Sequence, residues 1–245
     1  TNSTLDTLTA SLRSRPSTTG TCHTPDLRSN RRKGTVMFSY PEPYGYTHGD
    51  DGYAVIDFET TGLDARDADR IVEVGIVRID SAGQELGSFS TLINPQRGVG
   101  AGVVHRIDDA MVRDAPVFAE IAPAILAWLE GTVVVAHNAE FEDAFLSAEL
   151  ARAGLRPPRL PAIDTLPLTQ SCVPTHNHKL HTVCDWAGIT IDNPHTALAD
   201  ARATAQLLPV LLARRHRPLR WGTPLRPLGG RLSGRYLPRE TLTLL

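Results

Sequence analysis

The first sustained hydrophobic block is Tyr53-Ala54-Val55-Ile56, extended through Phe58 and broken at Thr60-Thr61-Gly62. Read as a strand, it places successive side chains on opposite faces. A second block, from Arg70 to Asp80, is rich in Ile and Val and predicts another strand. A turn at Ser81-Ala82-Gly83-Gln84 leads to a third block, Ser88 to Asn94, closed by Pro95. Connections this short require antiparallel neighbours. After an irregular, glycine-rich stretch at 96–110 the period changes. Val117, Ile121, Ile125, Leu126 and Leu129 recur at helical spacing and predict a helix over 115–130, with Pro123 bending or restarting it. Residues 132–137 read as a short buried strand. Residues 139–153 form a helix that Asn138 is placed to cap and Gly154 to end. A short strand at 162–165, a short helix at 178–187 and a last helix at 196–213, kinked at Pro209, complete the pattern. Three antiparallel strands followed by strand–helix alternation imply an α/β protein, a mixed sheet with helices on both faces.

Charged residues interrupt this pattern at three places. Asp57 and Glu59 fall on one face at the end of the first strand. Two like charges so close repel each other unless a proton or a cation lies between them. At neutral pH a divalent metal answers this, and hard oxygen donors suit magnesium or manganese. Glu142 and Asp143 open the helix at 139–153, whose Phe141 and Phe145 turn inward at four-residue spacing, with Glu142 at the edge of that face. Acids in a first turn also suit the helix dipole without any further role. Asp200 sits beside the inward stripe of the last helix, formed by Ala197, Ala201, Thr204, Leu208 and Leu211. A carboxylate there costs free energy unless it is paired, hydrogen-bonded or bound to metal. His195 lies in the loop after Pro194, free to reach into a cleft.

Composition changes this picture little. The chain has 245 residues, 41% hydrophobic and 21% charged, as in an ordinary globular protein. No run is apolar and long enough to span a membrane, and the first residues lack a secretory profile. Cys22, Cys172 and Cys184 fit neither a disulfide framework nor a zinc site, so a reducing, cytoplasmic setting is expected. Charge is more informative. Residues 1–40 carry six Lys/Arg against two Asp/Glu, and residues 214–245 carry eight arginines against one glutamate. Residues 41–213 carry eleven basic side chains against twenty-four acidic ones. The expected division is a flexible basic arm and linker at 1–52, a compact domain at 53–213, and an Arg-rich tail at 214–245. Basic ends around an acidic, metal-binding middle suit an anionic polymer whose phosphates the tails would touch.

Taken in order, DFETTGL (57–63), HNAEFEDAFL (137–146) and HTALADARAT (195–204) resemble the three motifs of the DnaQ-like, or DEDDh, exonuclease family. That family includes the epsilon proofreading subunit of bacterial replicative polymerase, RNase T and oligoribonuclease. The resemblance covers roughly residues 53–213. It implies a ribonuclease H-like fold and 3′→5′ hydrolysis of nucleic acid with two metal ions, Mg2+ or Mn2+. It makes Asp57, Glu59 and Asp200 metal ligands and His195 the general base, since imidazole changes charge near neutral pH. It gives Thr60, Thr61, Leu63, Asn138 and Phe141 the task of holding the terminal nucleotide. His105, within Val104-His105-Arg106-Ile107, resembles the family's H-G-I segment near the 3′ end, with Arg106 in place of glycine.

The second motif departs from the family. The acid directly after the Phe is aspartate there and Glu142 here, with Asp143 one place on. Keeping Phe141, Phe145 and Leu146 in register assigns the ligand to Glu142. Recruiting Asp143 would need a rotation of about 100° and would pull out two aromatics, each worth roughly 3–5 kcal/mol. The partners implied are a single-stranded or frayed 3′ end of nucleic acid, with DNA expected ahead of RNA, and a DNA polymerase. Oligomeric state is left open. Two other readings compete. A non-catalytic DNA- or polymerase-binding module is favoured by Glu142. A haloacid-dehalogenase-like phosphatase would use Asp57 as nucleophile, but it wants a lysine partner where the chain has only Lys33 and Lys179, and it leaves His195 and Asp200 idle.

Overall fold

The computed structural model describes residues 37–48, 51–100, 105–215 and 217–239. Its strands are β1 (Phe38–Ser39), β2 (Tyr53–Thr60), β3 (Ile71–Ile79), β4 (Glu85–Leu92), β5 (Val133–Ala136) and β6 (Leu160–Asp164). Its helices are α1 (Asp109–Val112), α2 (Phe118–Leu129), α3 (Ala139–Arg152), α4 (Thr165–Cys172), α5 (Leu180–Ala187) and α6 (Ala197–Leu212). The strands form one sheet in the order β1-β6-β5-β2-β3-β4. β2, β3 and β4 are antiparallel, while β5, β6 and β1 run parallel to β2, as the pattern implies.

The alternation along β2 sorts the core into two layers. Ala54, Ile56 and Phe58 pack with Ile121 and Ile125 of α2 and Phe145 and Leu146 of α3. Tyr53 and Val55 pack with Ala201, Leu208 and Leu211 of α6 and Val183 of α5. Asp57 and Glu59 share the parity of the second set, so they emerge beside α6 at the C-terminal end of the central strand.

α2 continues through Pro123 with no restart, and α6 continues through Pro209. Other local expectations are corrected. Asn138 precedes α3 but makes no side-chain cap; it is left-handed, with φ 80°. Asp164 serves instead. Its Oδ1 accepts from Asn138 N at 3.0 Å and from Leu166 N at 2.9 Å, holding the start of α3 and capping α4 together. α4 was not expected, because TLPLTQSC carries a proline and no apolar period. Cys172 is disulfide-bonded, against the expectation of no disulfide, whereas Cys184 is free and buried.

The packed structure also extends beyond 53–213 on both sides. Met37 and Phe38 are buried, and β1 extends the sheet beside β6. After α6 the chain runs back over the domain. The Trp221 indole is buried and donates to the Ala162 carbonyl at 2.9 Å. Gly230 lies so close to the Ala127 backbone that a Cβ could not fit. Leu237 accepts from Leu92 N at 2.9 Å and donates to Thr91 Oγ1 at 3.0 Å, along the outer strand β4. Isolated apolar residues between arginines, prolines and glycines read as a tail, yet Trp221 and Leu228 are buried. The remainder of the basic N-terminal arm lies outside the described residues. No helix among the described residues is long and apolar enough to cross a membrane.

Candidate active site

Asp57 and Glu59 occupy alternate positions at the end of β2, and the antiparallel ladder places Gly75 opposite Asp57 and Glu73 opposite Glu59. Gly75 decides what can lie over that face. A Cβ there would collide with the Ala197 carbonyl and the Leu198 nitrogen. The bare glycine lets the first turn of α6 press onto β3, which brings Asp200 against the strand end. Carboxylate oxygens of Asp57, Glu59 and Asp200 then all lie within 4.8 Å of one another.

The first turn of α3 supplies the fourth acid. Glu142 is 3% exposed, and among the described residues its Oε2 has no hydrogen-bond partner. Asp143, equally buried, points elsewhere. It accepts from Met37 N at 2.7 Å, Phe38 N at 3.2 Å and Ser147 Oγ at 3.0 Å, which ties β1 to α3. Phe145 is fully buried and Phe141 half-buried, their ring centroids 4.7 Å apart. The register that keeps the aromatics inward therefore turns Glu142, and not Asp143, toward the cluster.

The electrostatics follow from this crowding. Burial pushes the Asp57 carboxyl well above the usual carboxylate range, helped by the charges of Glu142, Asp200, Glu59 and Glu73 in that order. Glu59 is raised to about 8 by burial, Glu73 and Asp200, against the lowering effect of Arg239. Glu142 is raised well above its ordinary value by burial, with Asp164 and Glu59 adding to it. Asp200 is raised by burial, while the charge and backbone N–H of His195 oppose the rise. Four acids that cannot all ionise together call for cations. Hard oxygen donors, one of them unpartnered, fit a divalent ion.

His195 stands exposed beside Asp200 with a left-handed backbone, φ 66°. The other expected residues divide into two groups. Leu63 and Asn138 are exposed and Phe141 half-exposed, so they are open to a ligand. Thr60 is buried and donates to the Gly62 carbonyl at 2.6 Å. The Thr61 hydroxyl donates to Asp69 at 2.9 Å and accepts from Arg70 N at 3.1 Å, so both threonines shape the turn. His105 is 2% exposed with both ring nitrogens engaged. Its Nδ1 accepts from Ile107 N at 3.0 Å, which leaves Nε2–H to donate to the Thr60 carbonyl at 3.1 Å. Burial lowers its pKa. It braces the turn from beneath, and the structure does not bring it to the cleft.

Two site residues escaped the sequence reading. Glu73 is 1% exposed and faces Glu59; a lone acid inside Ile71-Val72-Glu73-Val74, paired in register with β2, could have revealed it. Arg239 reaches Glu73 from the far end of the chain, and no local pattern marks it.

A model of the exonuclease family matches residues 54–208. DNA polymerase III subunit epsilon of Treponema pallidum is 36% identical over 166 residues, covering 66% of this chain and 76% of that protein. A PolC-type DNA polymerase III of Thermotoga maritima is 38% identical over 164 residues, but the chain spans only 12% of its length. Among solved structures, exonuclease X in complex with 5′ overhanging duplex DNA is similar, with a TM-score of 0.54 and 26% identity over 72% of this chain and 97% of that one. Exonuclease I of E. coli, solved with a dT13 oligonucleotide, has the same fold, with a TM-score of 0.58 and 20% identity over 66% of this chain and 41% of that one.

Proposed function

The chain belongs to the exonuclease family, and from that premise we propose that it removes nucleoside monophosphates from the 3′ ends of DNA, holding two divalent ions, Mg2+ or Mn2+, at the end of β2. The observation that carries this reading is the meeting of Asp57, Glu59 and Asp200 within 4.8 Å, beside the buried Glu142 with its unpartnered Oε2. Bound there, the ions would supply an activated water and stabilise the charge that builds on the scissile phosphate. The four carboxylates hold them. Burial raises each of these groups in the metal-free protein, and neighbouring acids add to the rise at Asp57, Glu59 and Glu142; that cost becomes affinity once cations arrive.

His195, exposed beside Asp200, takes the proton of the attacking water. Leu63, Asn138 and Phe141 line the open side and receive the terminal nucleotide by stacking and edge contact. The DNA named with exonucleases X and I supports a single-stranded or overhanging end as substrate. Similarity across most of a polymerase III epsilon subunit supports work beside a polymerase.

The test is a matched pair of single-stranded DNA oligomers, one labelled at each end, incubated with Mg2+, with Mn2+ or with chelator. The 3′ label should leave as mononucleotide while the 5′-labelled strand shortens in single steps, only with metal. Release of the 5′ label first, or internal cuts, would overturn the proposal.

A further inference from the structure

Three acceptors meet at the Arg239 guanidinium. Nη1 donates to Glu73 Oε2 at 3.2 Å and to the His195 carbonyl at 3.0 Å, and Nη2 donates to the His105 carbonyl. Its side chain is only 15% exposed. The segment is brought here by β4. Leu237 bonds to Leu92, and Leu92 stands opposite Glu73 in the ladder, so two residues later Arg239 falls over Glu73.

Each acceptor belongs to something the site depends on. Glu73 Oε2 also accepts from Ala197 N at 3.2 Å, the first helical amide of α6. Thr196, the residue in cap position, makes no side-chain cap, so Glu73 does that work from β3. Glu73 is buried beside Glu59, and the Arg239 guanidinium sets a positive charge against both. His195 holds a left-handed backbone, which a non-glycine residue keeps only when its surroundings hold it there. His105 braces the turn that follows β2.

We propose that Arg239 is a positioning residue of the active site: by clasping Glu73 and the carbonyls of His195 and His105 at once, it fixes the first turn of α6 and the His195 loop against the end of β2. The inference rests on the exonuclease reading for its kinetic consequence only. A planar fork can serve three acceptors in fixed directions, and its contacts all face protein groups, so it acts by holding the His195 loop and the first turn of α6, with its charge set against Glu59 as well.

The test compares the full chain with Arg239→Gln and with the double variant Glu73→Gln/Arg239→Gln. It measures mononucleotide release from a 3′-labelled DNA oligomer with Mn2+, thermal unfolding, and hydrogen exchange of the amides at 195–200. In Arg239→Gln, kcat should fall about tenfold or more, the scale on which small misplacements act, with KM changed less than about twofold. Tm should drop and exchange at 195–200 should rise. In the double variant Tm should recover, since the guanidinium and the buried carboxylate that faces it are neutralised together, while kcat stays low because the His195 carbonyl remains unheld. A wild-type kcat in Arg239→Gln, or kcat recovering together with Tm in the double variant, would overturn the proposal. If the unsubstituted chain releases no mononucleotide, the exonuclease reading fails and hydrogen exchange decides the clasp alone. Unchanged protection at 195–200 in Arg239→Gln then refutes it, and raised exchange in both variants upholds it.

Discussion

Glu142 and Glu149 lie on the same helix, two turns apart, and both are almost wholly buried. Glu149 is surrounded by compensation. Arg70 approaches it with both ends of its fork, at 2.6 and 2.9 Å, and Arg152 adds a third contact at 3.3 Å. Glu142 has little compensation: its own backbone N–H helps, but one oxygen lacks a partner, and its charged neighbours are other acids. A buried charge that the fold has paired belongs to the fold. One left unpaired is a standing cost, and it marks a place where a ligand completes the structure.

The sharpest way to break the contrast is at the cluster's centre. Asp57→Asn should lower kcat by on the order of a thousandfold or more, as expected when a group that stabilises the transition state is lost. It should also raise the Tm of the metal-free protein, because one of the repelling buried acids is gone. A lower metal-free Tm would show that Asp57 is stabilised by partners and is not held against repulsion. Next in size is the exchange test between the two glutamates. Glu142→Gln should cut turnover roughly a hundredfold, with Glu142→Asp retaining it, and should leave stability equal or higher. Glu149→Gln should do the reverse, costing roughly 2 kcal/mol in denaturant unfolding while folded molecules keep their kcat. Matching profiles for the two substitutions would erase the distinction.

Acidity offers a third handle. Glu59 binds its proton up to about pH 8 in the folded protein, against 4.5 ordinarily, and Asp57, Glu142 and Asp200 shift the same way. Over that window the folded state holds more protons than the unfolded one, so stability is greatest below the ordinary values and falls as pH rises through the folded ones. Metal-free Tm should decline between about pH 5 and pH 8, and Mn2+ should restore it at the upper end; a Tm that climbs across this range without metal would contradict the shifts. The smallest expected effect is at the neighbouring acid. Asp143→Asn should cost ~1 kcal/mol by loosening β1, with kcat within about twofold of the parent.

Much of this was legible in the chain. Alternation in residues 53–60 put Asp57 and Glu59 on one face, and the inward aromatics of α3 separated Glu142 from Asp143, because short-range periodicity determines both. What could not be read depended on register or on distance. Gly75 looked like any glycine in a strand until the ladder set it opposite Asp57 and under α6. His105 resembled a ligand-facing residue by its motif, yet both of its nitrogens are spent on backbone groups, which no motif records. The stretch from Trp221 to Arg239 carries neither a 2-residue nor a 3.6-residue period. Its contacts are single side chains seated in pockets made by residues far away in the chain, so its composition alone suggested a solvated tail.

That same stretch has a consequence for the protein's behaviour in concentrated solution. β4 is an outer strand of the sheet, and an outer strand invites pairing with another molecule. Leu237 occupies the Leu92 amide, and Tyr236 closes edge-on over Phe89 at 5.0 Å between centroids. Peeling this cover away would offer a fresh template for intermolecular sheet growth, with Leu86 already exposed on the same strand. A chain ending before residue 217 should therefore scatter light and form oligomers at concentrations where the longer chain stays dispersed.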